Sequence, residues 1–449
     1  MKQLALLSLL FFTSYSLLAQ TNQTSDSVNI GLSTTDLEPL SGTPLAGFGS
    51  PKRRVKGFMD LKGKHPYSFF FAPSKGQLDP IYTRAMVVQK KNKLVVFVSA
   101  DFTGVTSDFV NELAKRLKPY GVTRENLFVS GTHTHSGPGA LSKRFALAIL
   151  AADLFNKKVF NHIMGRVVSN VEKAFSQLQP AYLYDLTYET TNLQKNRRER
   201  PGHFDANARL LLAKNLQGDW LGGILNYAIH GTALGGSNLH FSGDVPGAIV
   251  STLEIEMNKL NFLSDQLPTV LFINGAEGDV APIRGGLEGM KEISTSFAAQ
   301  TLAALEKARP VLNPIISYQS KRIWVGFPKV NIKACIEGKK LRKFISKFLA
   351  VPLVPLMPMK TTISQVNIGD LTFLTWPGEP TTDLGYKLQD LAKDSGHQHP
   401  WVFGLTNDYL AYFTTKEEFK SGGYEACSSL YSYRGGRRIL KNYKKILNK

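Results

Sequence analysis

Residues 94–101, LVVFVSAD, form an apolar run rich in β-branched side chains that ends at Asp101, the pattern of a buried strand. Between Thr106 and Pro119 the apolar positions Phe109, Val110, Leu113 and Leu117 recur at helical spacing, and NLFVS (126–130) repeats the strand pattern. Strand, helix and strand in this order make a βαβ unit, with parallel strands and a right-handed crossover. The same reading predicts strands at 208–214, 223–229, 269–274 and 371–376. It predicts helices at 145–177, broken somewhere inside, and at 246–260, 290–308 and 381–393. Such alternation indicates an α/β fold: mixed, partly parallel sheets flanked by helices in a single large domain. No internal repeat or low-complexity segment is present, which argues against a solenoid.

The pattern changes at the ends. Residues 1–19 place Lys2 before an apolar run from Leu4 to Phe12 and reach Ala19 through Ser and Thr, the layout of a signal peptide. A spanning helix needs about 20 mostly apolar residues, so the expectation is export, to a periplasm or the medium. Residues 20–27 read as a flexible linker, 28–432 as the folded domain and 433–449 as a basic tail, a surface arm with seven Lys or Arg and no acid. Residues 339–348 (KKLRKFISKF) are basic and amphipathic, and the apolar FLAVPLVPLMPM that follows from Phe348 carries three prolines. This pair suits an anionic membrane surface, or a solvated helix running into a crossing loop.

Apolar residues make up 43% of the 449-residue chain and charged residues 20%, which excludes a disordered, collagen-like or multi-span membrane protein. Lys plus Arg number 54 against 35 for Asp plus Glu, a formal charge of +19. A charge of this size favours anionic surfaces. Export and the lack of an aromatic-basic motif point away from nucleic acid and toward membrane or envelope lipid. Two cysteines, Cys335 and Cys427, exclude a disulfide framework and a Cys-rich metal site; they either bridge or stay free.

The segment richest in chemistry is SGTHTHSGPGAL, 130–141. His133 and His135 follow a strand end, and alternate residues of extended chain point the same way, so both can face one pocket. His230 closes the apolar ILNYAIH ahead of a Gly-rich loop. LFINGAEGDVAP (271–282) sets Glu277 and Asp279 after another strand, and FLTWPGEPTTDLG sets Glu379 between a strand and a helix. By spacing alone these carboxylates suit a metal ligand, an acid or base, or a turn. Two or three His with one Glu suit zinc better than magnesium or calcium, which prefer oxygen. Zinc with an open position activates water and polarises a carbonyl. The residues by themselves therefore suggest an exported zinc hydrolase.

Taken together, these segments resemble the neutral/alkaline non-lysosomal ceramidase family. PLAGFG (44–49), DPIYTRAMVV (79–88), VVFVSADFTGV, TRENLFVSGTHTHSGPG, NYAIHGTAL, NGAEGDVAP, PGEPTT and NDYLAYFTTKEEF with GGYEA occur in family order across about residues 28–432. The resemblance implies cleavage of the N-acyl amide of ceramide-like sphingolipids by zinc-activated water, giving a sphingoid base and a fatty acid. It implies Zn2+ ligands at His133, His230, Glu379 and a tyrosine of NDYLAYFTT, Tyr412 in preference to Tyr409. His135 matches the second histidine of the family's motif, Arg197 its substrate-orienting arginine with Arg198 as rival, and Asp279 the Asp of its GDVSP segment.

Two departures bear on activity. The family's essential serine is Ala281 here, and a methyl group can neither donate nor accept a proton; Ser136 and Ser242, in the other site segments, are the hydroxyls that could compensate. Many members also carry a further C-terminal β-sandwich domain, and in this sequence a basic tail stands in its place. The alternatives that follow are a zinc hydrolase of another amide or an ester, and a zinc- and lipid-binding protein without turnover. The sequence sets no oligomeric state.

Overall fold

A computed structural model describes residues 26–56, 58–198, 200, 202–263, 266–336 and 349–448. The expected signal peptide, most of the expected linker and the basic 339–348 segment lie outside them. Strands β1 (Val28–Asp36), β2 (Tyr82–Lys90), β3 (Lys93–Ala100), β4 (Leu127–Gly131), β5 (Gln179–Glu189), β6 (Asn207–Asn215), β7 (Trp220–Tyr227) and β8 (Thr269–Asn274) build one sheet. Their spatial order is β4-β3-β2-β1-β5-β6-β7-β8, and Arg309–Pro310 adds a ninth strand beside β5. The β3–β4 and β7–β8 pairs are parallel, the rest antiparallel. A second sheet of β9 (Ile316–Trp324), β10 (Lys360–Ile368), β11 (Leu371–Thr375) and β12 (His399–Phe403) ends in a parallel β11–β12 pair.

Alternation along the strands sets the layers. In β2, Ala85 and Val87 join Phe109, Val110, Ile163 and Val167 of helices α1 (Ser107–Arg116) and α2 (Lys157–Ser176) in one core. Their neighbours Met86 and Val88 join Val366, Ile368, Phe373, Trp401 and Phe403 of the second sheet in another. In β6 and β8, Leu210, Leu212, Val270 and Phe272 meet Ile249, Leu253 and Phe297 of α3 (Asp244–Asn258) and α4 (Gly286–Ala304). On the far side of the second sheet, Ile363, Leu374 and Val402 pack under Leu388 of α5 (Thr382–Asp394) and Ile439 and Tyr443 of α6 (Ser432–Leu447). The result is four layers: helices, sheet, sheet, helices. Strands buried on both faces read as continuous apolar runs, which is why β3, β4 and β8 are plain in the sequence.

The expected mixed α/β architecture is present. The 145–177 helix breaks as foreseen: a π-turn at Ala148–Ala152 leads to Asp153, whose φ is +66°, and α2 restarts behind the Asn156 cap. The Asp153 carboxylate accepts the backbone N–H groups of Phe69, Phe70 and Phe71 there. The segment from 433 is not a free arm. It is most of α6, whose Ile439, Tyr443, Ile446 and Leu447 are buried while Arg434, Arg437, Lys441, Lys444 and Lys445 face outward. Apolar residues at helical spacing gave it a face to bury. A disulfide joins Cys335 to Cys427. No helix among the described residues is long and apolar enough to cross a membrane.

Candidate metal centre

Four chain segments leave the C-terminal ends of parallel strands in both sheets and converge. β4 runs into Thr132–Ser136, β7 into Ala228–His230, β8 into Gly275–Asp279, and β11 into Trp376–Glu379. Strand ends of this kind are where α/β folds place ligands. Short backbone ladders hold the segments: Thr134 bridges Gly231, and the His135 N–H donates to the Gly231 carbonyl at 3.0 Å. The His230 N–H donates to Val280 at 3.1 Å, and Glu379 pairs in parallel register with Tyr412. Directly paired residues of a ladder present their side chains on the same side, so Glu379 and Tyr412 arrive together.

His133 has φ +70°, a left-handed conformation that is strained for a residue with a Cβ. The chain therefore does not run as the extended strand from which the sequence reading argued. The two rings still meet, with His133 Nε2 and His135 Nε2 3.4 Å apart, because the turn at His133 is held by its N–H on Phe102 and its Nδ1 on Thr103.

The ring nitrogens decide what the pocket can hold. His133 Nδ1 lies 2.6 Å from the Thr103 carbonyl and His230 Nδ1 2.9 Å from that of Val280. A carbonyl only accepts, so each Nδ1 carries the proton and each Nε2 of the neutral ring carries a lone pair. Both Nε2 atoms face Glu379 Oε2, at 3.1 and 3.2 Å, and that oxygen has no hydrogen-bond donor. Burial, then Arg197 and His133, lower His230 to about 3. Three lone pairs pointed at one another in a dry pocket repel unless a cation lies among them. The donor set thus fits a divalent metal such as zinc. Tyr412 completes the arrangement, its hydroxyl 3.1 Å from His230 Nε2.

Around these atoms the remaining candidates separate. Arg197 donates to the Tyr412 hydroxyl at 2.9 Å, to the Gly278 carbonyl at 2.8 Å and to Glu425 at 2.9 Å. Its rival Arg198 turns away to Glu425, Ser421 and Gly422. Asp279 does not face the pocket centre: one oxygen accepts the Thr382 N–H and hydroxyl at the start of α5, the other the Asn196 amide. His135 is buried and pushed well below its usual pKa by burial and the two other histidines, and its ring packs edge-on to Phe48 at 4.6 Å. Gly47, at φ +109°, admits that ring, since a Cβ there would lie 2.6 Å from it.

Ala281 sits in a short pair with Lys195, next to the Val280 that orients His230. Of the two hydroxyls offered in its stead, Ser242 donates to Asp79 and Ser136 accepts from Asn238. Tyr409, ranked second to Tyr412, donates its hydroxyl to Glu379 Oε1 at 2.6 Å. The sequence reading missed Thr103 and Arg53, which hold His133 Nδ1 and the His135 carbonyl; Thr103 lies in the VVFVSADFTGV segment but had no role assigned there, and Arg53 lies outside the quoted segments.

With the geometry in place, the sequence matches the N-terminal model of neutral/alkaline non-lysosomal ceramidases over residues 67–310 and 300–445. The chain belongs to this family. Neutral ceramidase B of Dictyostelium discoideum is 25% identical over 465 residues, covering 78% of this chain and 64% of that protein. Neutral ceramidase of Pseudomonas aeruginosa is 22% identical, covering 86% and 69%. The matches span a little under two thirds of the two Dictyostelium ceramidases. The crystal structure of the Pseudomonas ceramidase superposes with a TM-score of 0.77 at 19% identity over 94% of this chain and 74% of that one. A ceramidase complexed with C2 superposes at 0.78 and 18% identity, over 94% and 75%. The family's fold is therefore the four-layer arrangement described above.

Proposed function

We propose that this chain is an exported, zinc-dependent amidohydrolase that cleaves the N-acyl amide of a ceramide-like lipid. The observation that carries the reading is the convergence of His133 Nε2, His230 Nε2 and the donor-free Glu379 Oε2, in a family whose matched relatives are named ceramidases. His133, His230, Glu379 and Tyr412 would hold the metal. When bound, zinc supplies Lewis-acid polarisation and an activated water. Tyr409 pins the second oxygen of Glu379, and the Thr103 and Val280 carbonyls fix the two imidazoles in their ligating tautomer. Arg197 places positive charge beside the Tyr412 hydroxyl, where it favours negative charge developing on a bound carbonyl oxygen. His135, neutral and aimed at the same centre, is the group placed to hold a proton for the leaving amine. In this reading Asp279 positions the loop rather than reacting.

A second reading rests on Ala281. With a methyl group in place of the family's hydroxyl, the substrate is a different amide or an ester. Release of labelled fatty acid from a fluorescent N-acyl sphingosine by zinc-loaded protein, and not by Glu379→Ala, supports the ceramide reading. No release with zinc bound overturns it in favour of another substrate or of binding without turnover.

The Cys335–Cys427 bridge supports export, because disulfides persist in oxidising compartments. Contact with an anionic membrane is part of the proposal. Phe58, Met59 and Leu61 are exposed, with Leu61 at 80%, among exposed Lys52, Lys56, Lys62 and Lys64. Arg54 links this segment to exposed Ile149 by donating to its carbonyl, and Arg53 beside it holds the His135 carbonyl. An apolar tip ringed by lysines at the edge of the site suits a negatively charged lipid surface.

A further inference from the structure

Glu277 is left over by the centre described above. It follows β8 by three residues, is fully buried, and has no hydrogen-bond donor on either carboxylate oxygen. Its donor atom lies within 4.8 Å of those of His133 and Glu379, which also lie within 4.8 Å of each other. A buried carboxylate is retained in a fold when it is paired, hydrogen-bonded or bound to a metal. The Arg197 guanidinium, which donates to the Tyr412 hydroxyl, is already engaged by Glu425, Gly278 and Tyr412. Space for the carboxylate has been made on its other side: a Cβ on Gly404 would stand 2.7 Å from Glu277 Oε2. The placement is specific, enclosed and unsatisfied by protein.

We propose that Glu277 is a fifth protein ligand of the cation held by His133, His230, Glu379 and Tyr412. The inference rests on the reading of those four as a metal centre and deepens it. A site of two imidazoles, one carboxylate and one phenol, with a position left for water, selects zinc. A second carboxylate raises the coordination number, adds negative charge and hardens the donor set, which shifts preference toward manganese(II) or iron(II). The donor oxygens of the two carboxylates lie within 4.8 Å of each other, and a cation between them offsets their mutual repulsion.

The test is direct metal binding by the full chain. Metal-free protein is titrated with Zn2+, Mn2+ and Co2+ in competition with a chelator, for the natural sequence and for Glu277→Gln and Glu277→Ala. Glu277→Gln is expected to weaken Mn2+ by at least tenfold, and Zn2+ by less. The visible Co2+ bands are expected to be weak in the natural protein and to intensify in Glu277→Gln, as the coordination number falls by one. Identical affinities and spectra in the variant would overturn the proposal. A natural-protein Co2+ spectrum of tetrahedral intensity would overturn it without any variant, should both variants fold poorly. Two bound ions in the natural protein falling to one in Glu277→Gln would overturn the single-ion assignment. Failure of the natural protein to bind any of the three ions would instead overturn the metal-centre reading itself.

Discussion

Tyr409 donates to Glu379 Oε1 at 2.6 Å, and it is this bond that leaves Oε2 free to face His133 and His230 at 3.1 and 3.2 Å. A ligand oxygen is oriented by what holds its partner. Tyr409→Phe should therefore keep the fold but lower zinc affinity by roughly 10- to 100-fold. Chelator competition measures it. Equal affinity in the variant would mean that the phenol plays no part in setting the carboxylate.

His133→Ala and His230→Ala should each strip the metal, because each removes one of the two ring nitrogens aimed at Glu379 Oε2, the donors that favour zinc. Metal content after gel filtration is the readout. Stoichiometric zinc retained by both variants would refute their assignment as ligands.

Arg84 on β2 and Glu254 on α3 form a two-pronged ion pair at 3.0 and 3.2 Å, and Glu254 also accepts the Val270 N–H. Both side chains are buried. Removing one partner strands the other's charge, so Arg84→Met should cost about 3–5 kcal/mol in urea unfolding. The double variant Arg84→Met with Glu254→Leu should recover most of this. A single-variant loss below about 1 kcal/mol would contradict the argument, since pairs of that strength belong to exposed surfaces.

Replacing Cys335 and Cys427 by serine should lower stability by about 2–4 kcal/mol. It should also lower turnover more than zinc content. Cys427 lies in the short helix Tyr424–Ser428 whose Glu425 clamps Arg197 against Tyr412. Turnover unaffected by the change, at a temperature where the variant stays folded, would separate the bridge from the site.

Association with anionic vesicles should fall as salt rises, since charges exposed to solvent are screened within about 8 Å at 0.15 M. Phe58→Ser with Leu61→Ser should reduce vesicle binding while leaving hydrolysis of a water-soluble substrate unchanged. Salt-independent binding, or no effect of the double change, would remove this face from the membrane proposal.

The parts of the fold that were legible in the sequence are those that bury themselves without help. β3, β4 and β8 are apolar on both faces, and α1 shows its stripe at Phe109, Val110 and Leu113. β9 (ISYQSKRIW) and β10 (KTTISQVNI) were not, because β9 is half exposed and β10 carries buried Ser364 and Gln365 whose polarity only their neighbours explain. In the site, His133, His135 and His230 stand out because the chain has only nine histidines and these follow strand ends. The ceramidase resemblance joined them to Glu379 and Tyr412, and the Glu379–Tyr412 ladder brings those two side by side. What pattern could not disclose were the contacts that these residues make: Tyr409 on Glu379, Arg197 on Tyr412, and Asp279 on the start of α5. Each depends on a contact between segments far apart in sequence, and in His133 on a left-handed turn that apolar periodicity does not encode.

The convergence of both sheets on one pocket has a consequence for synthesis. The proposed donors run from His133, after β4, to Tyr412, beyond β12, so no piece of the chain shorter than residues 133–412 contains them all. A chain emerging from the ribosome has its first histidine long before its last ligand. In the proposed reading, metal capture must therefore wait until both sheets have closed on each other.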